Sequence, residues 1–465
     1  MTEHLARPAA PPLSRSQPVS RARRLGEWLT AHATVIALVA VGLSVVIGLG
    51  YSLILGSDLR FYDEQVYVGI VRSMAHGHGF SLDGSQPTAY RPPGYLFLLL
   101  PVYLVTGGSV LAMRLVGVLA LGGAVWFTYL LGRRVHSPAT GALAAVVVAI
   151  YPLLIYTATT LYPQVPALFL LLLMIELAMR ALPEDGRSGG RRLAIAVFAG
   201  LVGGLLTLTV PTFGVTAVGI VAWLAWRQHA ASKRIAWRTV VVLLVATAVL
   251  PAAWCARNAV TLHAFVPVST NDGINLLLGN SPDATANSGT SVDISTYSQQ
   301  AVSRHYGEVE VDHFYTSQAL DWVEHNPGSA VVLYVAKVAN NFSYHDDLAT
   351  SSQGSTAQNL LSAVSYYPIL LLALLRLVLF RRWPLRPTEK LLAITIAVNV
   401  LLLAVFFTRL RFRVPLDGLT ILLAASTVTH FLSRDTSLSR DTSLSRGTSL
   451  SGRPEQSRTE LGELA

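Results

Sequence analysis

The chain has 465 residues, of which 52% are hydrophobic and only 13% are charged, and its mean hydropathy is +0.49. Soluble domains usually carry about a quarter of charged residues, so this composition excludes an ordinary soluble protein and predicts an all-α polytopic membrane protein. The net charge of +9 does not indicate nucleic-acid binding, because membrane proteins collect Lys and Arg in cytoplasmic loops. Cys255 is the only cysteine, which excludes an intrachain disulfide.

Ten apolar segments of near-spanning length follow one another along the chain. They cover residues 31–55, 109–131, 138–158, 164–182, 193–209, 212–226, 237–256, 357–379, 389–407 and 414–432. Residues 93–105 form a shorter apolar run that begins with proline, which predicts an interfacial or re-entrant segment. Leaving that run out of the bilayer places most clusters of Arg and Lys on one side and both termini in the cytoplasm.

Two outer segments are large under this topology, residues 57–108 and residues 257–356. The second holds ten Asp and Glu but three Lys and Arg, which indicates a small folded extracytoplasmic domain. The C-terminal tail repeats the hexapeptide Ser-Arg-Asp-Thr-Ser-Leu, and so short and polar a repeat predicts disorder. The predicted organisation is a cytoplasmic tail (1–30), a transmembrane core (31–256), the extracytoplasmic domain (257–356), C-terminal spans (357–432) and a cytoplasmic tail (433–465).

The first outer loop carries the residues best suited to chemistry. Asp63 and Glu64 stand side by side in the stretch FYDEQVYV. Acids at a helix start complement the helix dipole, and a carboxylate at the membrane surface is also a candidate general base. Further along the loop, Arg91 lies at the predicted depth of the lipid phosphates, where its side chain either snorkels or binds a phosphate.

Five stretches in a fixed order carry a family resemblance. They read YDEQVY, AHGHGF, PTAYRPPGYLFLLLPVY, FVPVSTNDGINLLLGN and RLRFRVPLDGL. This order resembles that of the GT-C glycosyltransferases that use polyprenyl-phosphate sugars, and it is most similar to the group of protein O-mannosyltransferases and the lipid A aminoarabinose transferase. The resemblance extends from Tyr62 to about Ala425, and it implies a GT-C fold with about ten transmembrane helices.

The resemblance also implies a mechanism at the outer face. An acceptor hydroxyl attacks the anomeric carbon, Asp63 takes its proton, and the polyprenyl phosphate leaves while cations neutralise its charge. The candidates for binding the donor phosphate are Arg91, Arg114, Arg257, Arg409, Arg411 and Arg413. In an extended segment Arg409 and Arg413 would share one face, although both residues also fit an anchoring role at the interface, and Arg114 fits snorkelling equally well.

Other candidates surround this site. Gln164 stands where many relatives carry a second carboxylate, and an amide is a poor ligand for a divalent cation, so no cofactor is required and a divalent cation, although possible, is doubtful. Glu64 and Gln164 are expected to support the site from behind Asp63. For His76 and His78 the choice is between a metal pair and plain loop polarity, while Glu176 and Arg180 have the spacing of an intrahelical ion pair. The candidates for the acceptor side or its loops are His76, His78, Tyr90, Asn258, His345 and Asp346.

The predicted partners are a polyprenyl-phosphate sugar donor, the lipid bilayer, and an acceptor that is a lipid, a polysaccharide or a protein. Nucleic acid is not among them. Two other functions stay open, a transporter or flippase for lipid-linked sugars and a non-catalytic relative of the enzymes. Transporters usually contain inverted repeats, and no internal repeat is visible in the spans. The abundance of Ala, Arg, Gly and Leu indicates a bacterial source, with the active site on the extracytoplasmic face of the cell membrane.

Overall fold

The computed structural model describes residues 21–345 and 355–434, and within these ranges the chain is built from α-helices without a β-strand. The first eight are α1 (Arg21–Ala31), α2 (Ala33–Leu55), α3 (Tyr62–Ala75), α4 (Pro93–Thr106), α5 (Val110–Val135), α6 (Pro138–Ile150), α7 (Pro152–Thr159) and α8 (Gln164–Ala181). The others are α9 (Gly190–Thr209), α10 (Phe213–Ser232), α11 (Trp237–Thr261), α12 (Asp272–Gly279), α13 (Ser295–Ser303), α14 (Glu308–His325), α15 (Pro327–Asn340), α16 (Thr356–Val378), α17 (Pro387–Leu403) and α18 (Leu410–Arg434). The predicted all-α fold is confirmed, whereas the C-terminal repeat and most of the N-terminal tail lie outside the described residues.

Seven of the described helices are long and apolar enough to cross a bilayer, namely α2, α5, α8, α9, α11, α16 and α18. The pair α6 and α7 brings the number to eight if its two halves form one broken span. Helices α10 and α17 coincide with two further predicted spans, but neither combines the length and the hydropathy of the other seven. The chain is a multi-pass membrane protein with fewer clear spans than the ten expected.

The predicted span 138–158 is bent by 56° at its centre. Tyr151 adopts an extended backbone conformation, and Pro152 then begins α7. Proline has no backbone N–H and disfavours a helical residue before it, so α6 ends at this point. The bend brings the end of α7 to the start of α8, where Tyr162 and Gln164 lie.

Two short helices, α3 and α4, organise the first outer loop. Helix α4 has 14 residues, a length of about 21 Å, which is too short to cross the ~30 Å hydrocarbon core. Both helices pack into a shared apolar core that includes Tyr67, Tyr95 and Trp254. The start of α3 is fixed by Glu64, whose fully buried carboxylate accepts the backbone N–H groups of Arg60, Phe61 and Leu161.

The described part of the second outer segment forms α12 to α15. Helices α12, α13 and α14 enclose a small apolar core of their own. The segment is tied to the first loop through Glu308, which accepts hydrogen bonds from Thr88 and Thr270. Helix α15 lies against α17, where the Tyr334 hydroxyl donates to the carbonyl of Leu401 at 3.1 Å.

Candidate active site

A cavity of about 780 Å³ lies where several helix ends meet the two outer segments. The ends of α3, α8, α9, α10, α17 and α18 contribute to its wall, together with residues 269–294. Its charged lining residues are Asp63, Arg91, Asp272, Arg409 and Arg411. The wall is otherwise rich in aromatic and aliphatic side chains, so the cavity suits a ligand with one charged end and one apolar end.

Asp63 is the centre of the charged wall. One of its carboxylate oxygens accepts a hydrogen bond from Arg91, and the other accepts one from Arg411 at 2.5 Å. The three side chains are between 11% and 21% exposed, so most of their surface is shielded from water. The loop before α4, the start of α3 and the start of α18 are thereby joined by one ion-pair cluster.

The electrostatics of this cluster set the protonation state of Asp63. Burial raises the pKa of its carboxyl group, but the charges of Arg411, Arg91 and Arg409 outweigh burial and leave the pKa below its ordinary value. Asp63 is therefore an ionised carboxylate while both arginines hold it.

Aromatic rings orient the two arginines that contact Asp63. The Arg91 guanidinium lies over the rings of Tyr90 and Tyr67, at 4.7 and 5.7 Å from their centroids. The Arg411 guanidinium lies 4.8 Å from the centroid of Tyr162. Such cation–π contacts restrict each guanidinium to one plane.

Several buried polar atoms of the cavity wall have no hydrogen-bond partner among the described residues. They are Arg91 Nε, Arg411 Nε, Tyr95 Oη, Gln164 Oε1 and Ser269 Oγ. Buried polar groups are paired in the great majority of cases, so such a set on one wall points to a polar ligand. Two of these atoms, the Nε atoms of Arg91 and Arg411, are cationic donors that an anion would satisfy.

Three of the predicted phosphate ligands lie outside the cavity lining. Arg114 is 1% exposed and donates to the carbonyls of Thr159 and Asp58, which ties the α7–α8 connection to the first loop. Arg257 donates to the carbonyl of Thr88 and to its neighbour Asn258. These contacts favour structural roles for Arg114, Arg257 and the fully buried Asn258.

The third is Arg413, and its position corrects the predicted conformation of this segment. Residues 410–434 are helical, so Arg413 does not lie in an extended chain. Its guanidinium pairs with Asp417 at 2.9 Å, donates to the carbonyl of Asn341 at 3.1 Å, and lies 3.6 Å from the Tyr366 ring centroid. Helical geometry turns Arg411 towards Asp63, while Arg409 reaches the cavity wall and donates to Thr290.

The remaining candidates are scattered. Tyr90 and Gln164 line the cavity, whereas His76 and His78 are exposed on the first loop away from it. His345 lies beside Ser343, and Asp346 lies outside the described residues. In the described ranges, no three His, Cys, Asp or Glu side chains are grouped so as to hold a metal ion.

The predicted ion pair of Glu176 and Arg180 is confirmed at 2.8 Å. Glu176 also forms a two-pronged contact with Arg134, which the sequence did not indicate. These residues lie at the C-terminal ends of α5 and α8, at the opposite end of α8 from the cavity.

Comparison with known proteins agrees with this architecture. Residues 90–254 match the family described as dolichyl-phosphate-mannose-protein mannosyltransferase. The apo oligosaccharyltransferase of Archaeoglobus fulgidus superposes with a TM-score of 0.50 at 13% identity, covering 90% of this chain and 53% of that one. The fold is that of the GT-C glycosyltransferases. The predicted GT-C fold is thus confirmed.

Two further GT-C structures are similar to this chain. One is the Archaeoglobus fulgidus oligosaccharyltransferase AglB in complex with an inhibitory peptide and a dolichol-phosphate, with 13% identity, a TM-score of 0.46, and coverage of 90% of this chain and 52% of that one. The other is ArnT from Cupriavidus metallidurans bound to undecaprenyl phosphate, with 16% identity, a TM-score of 0.38, and coverage of 92% and 81%. This chain spans about half the length of the oligosaccharyltransferases. No curated protein sequence matches it.

Proposed function

We propose that this GT-C protein is a glycosyltransferase that moves a sugar from a polyprenyl-phosphate donor to an acceptor hydroxyl. The observation that carries the proposal is the cluster of Arg91, Asp63 and Arg411 on the wall of a large, mainly apolar cavity. In this cluster, cationic groups suited to a phosphate lie beside a carboxylate suited to take a proton. The family that residues 90–254 match is described as dolichyl-phosphate-mannose-protein mannosyltransferase, which supports a donor of this class.

The arginines are suited to hold the donor phosphate. A guanidinium has five N–H donors in a planar fork, and the Nε atoms of Arg91 and Arg411 have no partner among the residues that the structure describes. Arg409, on the same wall, adds a third positive charge. Preorganised cations stabilise the charge that develops on a leaving phosphate, particularly where water is largely excluded.

The apolar side of the cavity is suited to the polyprenyl chain. Val215 lines the cavity and is also 58% exposed on the surface of α10, so the cavity reaches the lipid-facing surface there. Leu402, Leu403 and Phe406, at and just after the end of α17, line the same cavity. A hydrogen bond of 2.8 Å from Asn399 to Thr216 joins α10 and α17 next to Val215.

Asp63 acts as the general base in this proposal. The acceptor hydroxyl gives its proton to the Asp63 carboxylate, its oxygen bonds to the anomeric carbon, and the bond from that carbon to the phosphate oxygen breaks with its electrons leaving on phosphate. A donor phosphate that engages Arg91 and Arg411 weakens their hold on Asp63, so the pKa of its carboxyl rises and the group becomes a stronger base. The base is thereby activated when the donor is bound.

A transfer assay tests the proposed function. Purified protein in lipid nanodiscs is given undecaprenyl-phosphate mannose, galactose or arabinose, each with a Ser/Thr-rich peptide, an oligosaccharide or a lipid acceptor. We expect release of undecaprenyl phosphate with at least one pair. Movement of labelled donor across liposomes without any product would instead support a transporter.

The proposed orientation places the cavity at the extracytoplasmic face with both termini in the cytoplasm. In a Cys255→Ser background, Ser85→Cys and Ser291→Cys should react with an impermeant thiol reagent in intact cells, because both positions are exposed on the outer segments. Ser188→Cys, exposed between α8 and α9, should react only after lysis. Labelling of intact cells at Ser188 and not at Ser85 would reverse the orientation.

A further inference from the structure

A second carboxylate faces the cavity from the outer segment. Asp272 is the first residue of α12 and lines the cavity, with more than a third of its surface accessible. No hydrogen bond or ion pair among the described residues involves its carboxylate. Asp63 is held by two arginines, so the cavity contains one carboxylate that is engaged and one that is open to a ligand.

The charged groups nearest to Asp272 come from helix α14. Asp312 accepts the backbone N–H of Gly273 at 2.7 Å, which places its carboxylate at the start of α12. His313 and Glu308 lie on the same helix and act on Asp312, and Glu308 is occupied by Thr88 and Thr270. Asp272 therefore faces another acid and lacks a compensating cation.

The electrostatic environments of Asp272 and Asp63 differ, although both residues line the same cavity. The pKa of Asp63 is lowered by Arg411, Arg91 and Arg409, whereas none of these arginines affects Asp272. Burial raises the pKa of the Asp272 carboxyl to about 6, and Asp312 adds to the rise. Asp272 thus lacks the cationic partners that hold Asp63, and its carboxylate is open to a hydrogen-bond donor from a ligand.

Direct displacement at the anomeric carbon constrains where the acceptor lies relative to the phosphate. An acceptor oxygen attacks the anomeric carbon from the side opposite the leaving phosphate, so reactive groups must be aligned across the sugar. If the phosphate lies at Arg91 and Arg411 and Asp63 takes the proton, the rest of the acceptor extends away from the arginines into the cavity, where α12 presents Asp272. Helix α12 also belongs to the polar outer segment, from which a hydrophilic acceptor would approach.

We propose that Asp272 is an acceptor-binding residue, whose carboxylate accepts a hydrogen bond from a hydroxyl group of the acceptor and so orients it towards the anomeric carbon. This inference rests on the proposed glycosyltransferase function and assigns the acceptor side of the same site. The ligand class is a hydroxyl-bearing acceptor, whichever of peptide, oligosaccharide or lipid carries the hydroxyl.

Acceptor binding by Asp272 should depend on pH. Asp272 is ionised above about pH 6 and is protonated below it, which removes the charge that strengthens its hydrogen bonds. The kcat/KM for acceptor should therefore fall as the pH drops through 6. Asp312→Asn removes one cause of the raised pKa and keeps an oxygen for the N–H of Gly273, so it should shift this fall to lower pH.

The test compares Asp272→Asn, Asp312→Asn and the parental protein on the donor and acceptor pair found in the transfer assay. Hydrolysis of the same undecaprenyl-phosphate sugar by water reports on the donor side alone. We expect Asp272→Asn to raise the KM for acceptor roughly tenfold or more, to lose the fall near pH 6, and to leave donor hydrolysis unchanged.

Three outcomes overturn the assignment in distinguishable ways. An Asp272→Asn protein with the parental acceptor KM and pH profile contradicts the inference while the proposed function stands. Loss of donor hydrolysis together with transfer places Asp272 on the donor side. A parental protein that neither transfers nor hydrolyses any donor contradicts the proposed function itself.

A measurement without substrate checks the environment of Asp272. The pKa of Asp272 in the folded state is raised above the ordinary value of 3.8, so its ionised form destabilises the fold. This destabilisation is fully present above about pH 6 and is absent below pH 3.8. Asp272→Asn should therefore raise the melting temperature at pH 8, and this gain should shrink as the pH falls towards 4. A gain that is the same at both pH values would contradict the raised pKa.

Discussion

Replacing Asp63 with Asn should lower turnover by ~10²-fold or more, the usual effect of losing a general base. Asparagine keeps the size and polarity of the side chain but cannot take a proton from the acceptor hydroxyl. The measurement is kcat in the transfer assay at saturating donor and acceptor. Membrane insertion should be normal, because the start of α3 is held by Glu64 and not by Asp63.

Two control variants distinguish loss of the base from a general effect on the first outer loop. Asp83 lies exposed on the same loop and bonds to Ser85, so Asp83→Asn should turn over at the parental rate. Glu64→Ala should instead yield unstable protein, because it leaves two backbone N–H groups before α3 and one in the α7–α8 connection without their acceptor. Parental turnover of Asp63→Asn would remove Asp63 as the base and leave it a partner of the two arginines.

Replacing Arg411 or Arg91 with Ala should weaken donor use by roughly 10- to 100-fold. The loss corresponds to the ~1.5–3 kcal/mol typical of a hydrogen bond to a charged group. Lysine at either position should restore only part of it, because an ammonium keeps the charge but lacks the planar fork. The measurement is the KM for the undecaprenyl-phosphate sugar, together with the affinity for undecaprenyl phosphate.

Arg413 and Arg72 provide contrasting controls. Arg413→Ala removes one partner of a buried ion pair with Asp417, which costs about 3–5 kcal/mol and should lower stability. Arg72 is exposed at the end of α3, so Arg72→Ala should change neither stability nor donor use. A stable Arg413→Ala protein with a raised donor KM, beside an unaffected Arg411→Ala protein, would move the phosphate site to Arg413.

Much of the fold could be predicted from the sequence because membrane spans are set by composition and length. The approximate ends of the spanning helices and the short length of α4 follow from runs of apolar residues, whose lengths are constrained by the bilayer. The break at Tyr151 was also visible as a proline within a predicted span, but neighbouring helices often tolerate such a residue. Its 56° bend depends on packing that the local sequence does not encode.

The site could be predicted only in part. Asp63 and Arg91 lie in one predicted outer loop, and this shared location made both residues candidates for the site. The choice between Arg411 and Arg413 depends on the residue at which α18 begins, and an extended chain and a helix turn different side chains towards Asp63. Asp272 was within a recognised stretch, but its place in the cavity arises from long-range packing of the outer segment on the bundle.

The most direct test is a cryo-EM structure of the protein with undecaprenyl phosphate in lipid nanodiscs. We expect the oxygens of the lipid phosphate to lie ~2.7–3.2 Å from the guanidinium groups of Arg91 and Arg411, with Asp63 released from at least one of these arginines. The polyprenyl chain should leave the cavity past Val215, between α10 and α17. A phosphate bound away from these arginines, with the Asp63 ion pairs intact, would contradict the account.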